Sequence, residues 1–184
     1  MGFQREGTPK VLAEIGDELG FSVQVVDLLL QDQQGISSTA IRAMIESGNV
    51  VDAGTWLGYP VFIKGTVQYG SQQGRILGFP TANVIPGVGA VTPGDGVYAG
   101  LVSMGEDRGR SAAISVGTRP TFGDNARVVE AFIIDFDADI YGRTIKVEFH
   151  KRLRDQVIFD SMEDLKVQMS LDVEIVVEFV KSLN

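Results

Sequence analysis

The chain contains no cysteine, and its single histidine is His150. The first absence excludes a disulfide scaffold, thiolate metal sites and a cysteine nucleophile. The second excludes a multi-histidine metal centre and leaves His150 as the one residue that could serve a Ser–His–Asp triad. No apolar run reaches the ~18 residues of a membrane helix, and no signal-peptide pattern opens the chain, so no membrane association and a cytoplasmic location are expected. Positive charge is scarce: 16 basic against 24 acidic residues give a net charge of −8. A nucleic-acid binder needs a basic face to displace phosphate counterions, and this balance argues against that role. An anionic small substrate would have to be held by local donors against an unfavourable overall field. Neither a Gly-x4-Gly-Lys-Ser/Thr loop nor a Gly-x-Gly-x-x-Gly turn opening a helix is present.

What the chain does have is glycine, 22 of 184 residues, together with an ordinary globular balance of 44% apolar and 22% charged residues. At about 150 residues per domain this is roughly one domain, long enough for one real core. The glycine excess is local, since 14 of the 22 glycines and five of the six prolines fall in 58–123. Three zones result. In the first, up to about residue 58, Thr8-Pro9 reads as a helix start, Val11, Leu12, Ile15 and Leu19 follow helical spacing, and Gly20 closes the helix. Phe21, Val23 and Val25 alternate as a strand. Ser37 or Ser38 caps a second helix carrying Ile41 and Ile45 and ended by Gly48; Val50, Ala53, Trp56 and Leu57 form a third, ended by Gly58. This is a partial α/β segment whose strand has no partner of its own. The second zone, roughly 59–150, reads as six short strands at 61–69, 76–84, 96–104, 111–116, 129–136 and 144–149, a small antiparallel barrel or sandwich. In the third, Ser161-x-x-Asp164 is a capping box, followed by an apolar stripe of Leu165, Met169, Val173, Val176, Val180 and Leu183.

Chemistry concentrates in two places. In the segment from Gly70 to Asn83, Gly70, Gly74 and Gly78 let the backbone approach a ligand, and Arg75 sits among them as a phosphate partner. Thr81 and Asn83 are two apart in an extended run and share a face; a hydroxyl and an amide carbonyl are hard oxygen ligands suited to a Mg²⁺ that also holds phosphates. The alternative is a hairpin with an ordinary glycine turn. The second place is Glu130, which strand parity sets beside Phe132, Ile134 and Phe136. An acid on an apolar face is costly unless paired or employed, and there it can take a proton from an attacking hydroxyl; otherwise it is a strand-end acid that reaches water. His150 reads as a surface residue. Lys151, Arg152 and Arg154 read as a solvated loop or as a clamp for an anionic or planar ligand, with Phe159 offering an aromatic face. Thr118 to Gly123 reads as a turn or a flap. Asp172 interrupts the apolar side of the last helix, either buried and hydrogen-bonded or turned to solvent.

Several of these stretches occur together in one family. Gly74-Arg75, Leu77-Gly78-Phe79-Pro80-Thr81-Ala82-Asn83, Asp95-Gly96-Val97-Tyr98-Ala99, Ser115-Val116-Gly117-Thr118-Arg119-Pro120-Thr121-Phe122, Val129-Glu130-Ala131, Ile140-Tyr141-Gly142, Leu153-Arg154-Asp155 and Phe159-Asp160-Ser161 resemble, in order, the riboflavin kinase family across nearly all of 59–184. Ser115 departs from the Asn that many relatives carry before Val-Gly. Ile36 to Arg42 resembles the second nucleotide motif of the FMN adenylyltransferase module that precedes the kinase in bacterial bifunctional FAD synthetases; the module's other motif, His-x-Gly-His, does not occur in this chain.

The resemblance implies a mainly β fold, a six-stranded antiparallel Greek-key barrel with a C-terminal helix at 59–184. It is preceded at 1–58 by the back end of a nucleotidyltransferase-like α/β domain, with the adenylyl-transfer site incomplete. It implies that ATP and riboflavin give ADP and FMN, with Mg²⁺ as the metal. Carried over by position, Glu130 would be the base on the ribityl 5′-hydroxyl, and Thr81 and Asn83 would place Mg²⁺ and the ATP phosphates. Gly70, Gly74, Arg75, Gly78 and Pro80 would line the phosphate loop and Tyr141 would lie near the nucleotide. Arg154, Val157 and Phe159 would lie by the flavin, and loops 86–95 and 117–127 would close over the ligands. Competing readings are a bifunctional FAD synthetase, a flavin-binding barrel without catalysis, and an interaction module in which the apolar surface of 1–58 supports self-association.

Overall fold

In a computed structural model the structure describes residues 8–26, 30–31, 34–70, 73–118 and 127–183. It divides into two compact units, 1–36 and 37–184. In the first, α1 (Pro9–Leu19) begins where the Thr8 side chain accepts from the Val11 amide and ends at Gly20, whose left-handed φ of 78° closes the last turn. Two short strands, β1 (Leu30–Gln31) and β2 (Gln34–Gly35), pair as a minimal antiparallel ladder. The strand expected at Phe21, Val23 and Val25 does not form: residues 21–26 carry no strand. Alternation makes a strand only where another strand accepts its hydrogen bonds, and this unit's described ladder lies elsewhere.

In the second unit α2 (Ser38–Glu46) starts at Ser37, whose hydroxyl accepts from the Ala40 amide, and α3 (Val50–Leu57) ends at Gly58 with φ 78°. Six strands then close a barrel: β3 (Val61–Gln68), β4 (Thr81–Pro86), β5 (Gly96–Met104), β6 (Asp107–Thr118), β7 (Arg127–Ile133) and β8 (Thr144–Arg154), in spatial order β3-β4-β7-β6-β5-β8 with every neighbour antiparallel. Closure leaves no sheet edge and settles barrel against sandwich. A short helix, α4 (Gln73–Leu77), lies between β3 and β4, so Ile76 and Leu77 are helical and β4 starts at Thr81, five residues later than the apolar pattern suggests. At the other end β8 runs on to Arg154, paired with Val97 of β5; Lys151 to Arg154 are strand, not loop.

Strand parity builds the core. Ile63, Val67, Val84, Ile114, Val116, Val129, Ala131, Ile145, Val147 and Phe149 point inward, joined by Tyr98 and Val102 of β5. Helix α5 (Met162–Lys181), capped by Ser161 on the Asp164 amide at 3.1 Å, packs against the outside of β5 and β6. That explains why β5 is buried on both faces: Val97 and Ala99 are buried as well as the inward Tyr98 and Val102. No helix among the described residues is long and apolar enough to cross a membrane.

Helices α2 and α3 belong to the barrel unit by their chemistry as well. Val50 and Ala53 join the core. The Gly94 amide donates to Ile45 O at 3.0 Å, and the Tyr98 hydroxyl donates to Gly94 O at 2.5 Å. Burial pushes the Tyr98 phenol above its ordinary pKa of 10.0, against the opposing pull of Arg152, which keeps it a proton donor. Arg152 donates to Asp95 O, and Arg127 pairs with the Asp95 carboxylate at 3.0 Å. The expected lid at 86–95 is therefore tied down at its C-terminal end. The part of 117–127 expected to close over ligands lies largely outside the described residues.

Candidate active site

Two cavities lie on opposite faces of the same pair of strands. Register sets Thr81 opposite Phe132, Ala82 opposite Ala131 and Asn83 opposite Glu130. Ala82 and Ala131 face the barrel interior; Thr81, Asn83, Glu130 and Phe132 face outward. The inward face opens at the barrel mouth into a cavity of about 320 Å³ whose walls include Val67, Arg75, Pro80, Ala131, Ile133 and Tyr141. The segment Phe136–Ile140 closes it, with Asp137 and Asp139 among its polar groups. The outward face forms a second cavity, about 270 Å³, between the barrel wall and α5. Asn83, Glu130, Ser115, Arg154 and Gln156 supply its polar side; Phe132, Phe159, Leu165, Met169 and Val173 its apolar side. Thr81, at the start of β4, lines both cavities.

Local structure explains the positions. Asn83 is only 8% exposed, and its amide occupies the space where a side chain on Gly70 would stand: a Cβ there would collide with the Asn83 amide nitrogen. Gly74 is required in the same way, because a Cβ would strike Phe79 O, whose own amide closes the α4 turn on Gly74 O at 2.7 Å. Both glycines thus act by close approach. Gly78 differs: its φ of 89° is left-handed, and it is the turn that releases the chain from α4 into β4.

The expected site residues fall into two groups. Gly74, Thr81, Asn83, Glu130, Arg154, Val157 and Phe159 surround the helix-side cavity; Arg75, Pro80, Thr81 and Tyr141 surround the mouth cavity. Gly70 and Gly78 line neither. Tyr141 stacks on Tyr69 at 3.8 Å between ring centroids. Glu130 keeps company with Phe132 as parity predicts, but the strand ends at Ile133, and Phe136 lies at the other cavity. Arg154 is held by Asp172 of α5 through Nε at 3.0 Å and Nη2 at 2.7 Å, which decides the alternatives for Asp172: it is buried, 4% exposed, and paired. His150 is half-buried, 6.4 Å from the Phe179 ring of α5, and Nε2 is buried with no hydrogen-bond partner among the described residues. Burial lowers its pKa below 6.5, with Glu148 opposing. The surface reading of His150 fails because α3 packs on β8 and the Phe179 ring of α5 lies beside the imidazole.

Thr81 and Asn83 line one cavity, and their hydroxyl and amide oxygens are hard donors of the kind that suits a divalent ion taking most of its ligands from phosphate and water. No group of three acidic or histidine side chains that could cage an ion by itself occurs among the described residues. Sequence reasoning misses the α5 residues Leu165, Met169 and Val173 as cavity wall. Their helical spacing reads equally as core, and only the outward burial of β5 shows where α5 lies. Gln156 carries no local signal either: its amide donates to Ser115 Oγ at 2.9 Å and Val116 O at 3.0 Å, fastening the 155–159 segment over the cavity.

Two curated proteins similar to this chain share one description. The chain is 37% identical over 172 residues to the bifunctional riboflavin kinase/FMN adenylyltransferase of Escherichia coli strain K12, covering 93% of this chain and 54% of that one. It is 33% identical to the protein of the same name from Bacillus subtilis, covering 97% and 57%. The chain thus spans a little over half the length of the curated relatives it matches. A crystal structure described as a macrolide-efflux protein from Streptococcus pneumoniae superposes with a TM-score of 0.82 at 36% identity, over 93% of this chain and 55% of that one. The flavokinase family model, described as riboflavin kinase, matches residues 57–180, the span that contains the barrel, both cavities and all but the last residue of α5, and the chain therefore belongs to the riboflavin kinase family.

Proposed function

We propose that the chain transfers the γ-phosphate of ATP to the 5′-hydroxyl of riboflavin, giving FMN and ADP. The observation that carries this reading is the wall shared by the two cavities. A carboxylate, Glu130, stands across the strand pair from Asn83 on the helix-side face, and Thr81 touches both spaces. A flat, largely apolar ring with a polar tail suits the helix-side cavity, and a nucleotide suits the mouth, where Arg75 offers charge to phosphate and Tyr141 an aromatic face.

In this reading Glu130 takes the proton from the ribityl hydroxyl as that oxygen attacks the γ-phosphorus; the bond from phosphorus to the bridging oxygen breaks and ADP leaves. Thr81 and Asn83 would hold Mg²⁺, which when bound neutralises phosphate charge. Gly74 lets the backbone come close, and Arg75 balances charge at the phosphates. Arg154, Val157 and Phe159 orient the flavin, while α5 and the Gln156-fastened segment keep water from the reacting atoms. The reading implies a cytoplasmic enzyme with no nucleic-acid or membrane partner, and residues 1–58 as the counterpart of the back of an adenylyltransferase module, a surface open to self-association.

The test is one assay of the purified chain with riboflavin, ATP and Mg²⁺, products separated by chromatography. FMN without FAD is expected. FAD in addition would support the second reading, a bifunctional activity such as the names of the relatives carry. Bound flavin without product would leave a flavin-binding barrel as the better account.

A further inference from the structure

Asp172 is the one buried acid among the described residues, and it stands on α5 between Met169 and Val173 in the wall of the helix-side cavity. An acid in that position is unfavourable unless fully engaged, and here it is. Arg154 Nε donates to Oδ1 at 3.0 Å and Oδ2 at 3.2 Å, Arg154 Nη2 donates to Oδ2 at 2.7 Å, and Gln168 Nε2 donates to Oδ1 at 3.0 Å. The guanidinium is fixed on its other sides too. Nη1 donates to Asp155 O at 3.0 Å, and the group lies 5.9 Å from the Phe159 ring centroid. A guanidinium carries five N–H donors in a rigid plane. Three are used by these contacts, which leaves one on each terminal nitrogen.

We infer that Asp172 is a positioning residue for substrate recognition. It holds the Arg154 plane so that its two remaining N–H groups meet the acceptor edge, carbonyl oxygens and ring nitrogens, of a planar heteroaromatic substrate lying against α5. This rests on the flavin reading above and deepens it, assigning discrimination among ring systems to a residue that itself makes no contact with the reacting atoms. The alternative for such a pair is a strut joining β8 to α5. The two roles separate experimentally, because a strut needs only the charge pair whereas recognition needs the planar fork.

The experiment is titration of riboflavin fluorescence on the full chain, with ATP affinity and melting temperature measured in parallel. Asp172→Asn is expected to weaken riboflavin binding by roughly tenfold or more, the scale of a lost charge-assisted hydrogen bond, with ATP affinity kept and the kinetic loss falling in the KM for riboflavin rather than in kcat. Arg154→Lys retains a positive partner for Asp172 and guards against a folding failure of the first variant. It is expected to keep the melting temperature near that of the wild type while losing riboflavin affinity by a similar factor. Unchanged riboflavin affinity in either folded variant, or equal weakening of both ligands, overturns the inference and leaves the strut. A wild-type chain that fails to quench riboflavin would instead overturn the flavin reading itself, and the inference with it.

Discussion

The mouth cavity and the helix-side cavity are made from the same two strands, yet they are built differently. The mouth cavity draws its inner wall from core residues such as Ala82, Ala131 and Ile133 and its outer wall from the irregular stretch Phe136–Tyr141. The helix-side cavity is framed mostly by regular elements, with strand residues of the barrel on one side and α5 on the other, and irregular backbone at Phe79 and in the 155–159 segment. Side chains alternate across a strand, so a single step along β4, from Ala82 to Asn83, moves from one cavity to the other. Alternate residues of one strand pair thus wall two separate spaces, and Thr81, at the start of β4, borders both.

Substitutions in the shared strand pair are expected to have the greatest effect. Glu130→Gln is expected to lower kcat by about 10²–10⁴-fold, the usual scale for a lost general base, with both ligands still bound. Wild-type turnover in that variant would remove Glu130 from the chemistry. Thr81→Ala comes next: it should weaken Mg–ATP roughly 10- to 100-fold, the cost of a lost contact to a charged group, and leave riboflavin affinity nearly alone. Equal loss of both ligands by calorimetry would mean that the wall, not a ligand, had failed. Tyr141→Ala sharpens the assignment of the mouth. An aromatic contact is worth about 0.5–1.5 kcal/mol, so a few-fold rise in the KM for ATP is expected, with the riboflavin value unmoved.

The smallest effect probes the outer wall beyond both cavities. Burial lowers the His150 pKa from 6.5, so between the folded value and 6.5 the unfolded chain binds more protons than the folded one. The stabilisation is complete above pH 6.5 and is lost as pH falls toward the folded value. Melting curves should show the wild type losing more stability than His150→Gln between about pH 7.5 and pH 5.5. Parallel losses would show that other groups carry the acid sensitivity.

Much of this was legible in the residues, for physical reasons. Caps announce themselves locally: Thr8-Pro9, Ser37 and the Ser161–Asp164 box all start helices where their hydroxyls meet free amides. Parity put Glu130 and Phe132 on one face and Thr81 and Asn83 on another, and register brings those faces together. Other features depend on partners that the chain meets far along its length. Phe21, Val23 and Val25 alternate without forming a strand, and Ile76 and Leu77 enter α4 because Gly74 lets that turn close. His150 looks like a surface residue until α3 packs on β8 and Phe179 of α5 lies beside it. Asp172 could not be placed from its own helix, because the answer lay 18 residues away at Arg154.

The joint between α2 and the barrel has a consequence for how such chains are assembled from parts. Gly48 lies against the Tyr98 hydroxyl and Arg152, and Gly94 against Glu46 O, so neither position has room for a side chain. Val50 and Ala53 are sealed into the core beside them. A recombination breakpoint placed where the first barrel strand begins would inherit the strands and discard the helices they were fitted to. One placed ahead of Ser37 would carry the fitted surfaces together, and grafts between homologous genes should survive there more often than at any site between α2 and β3.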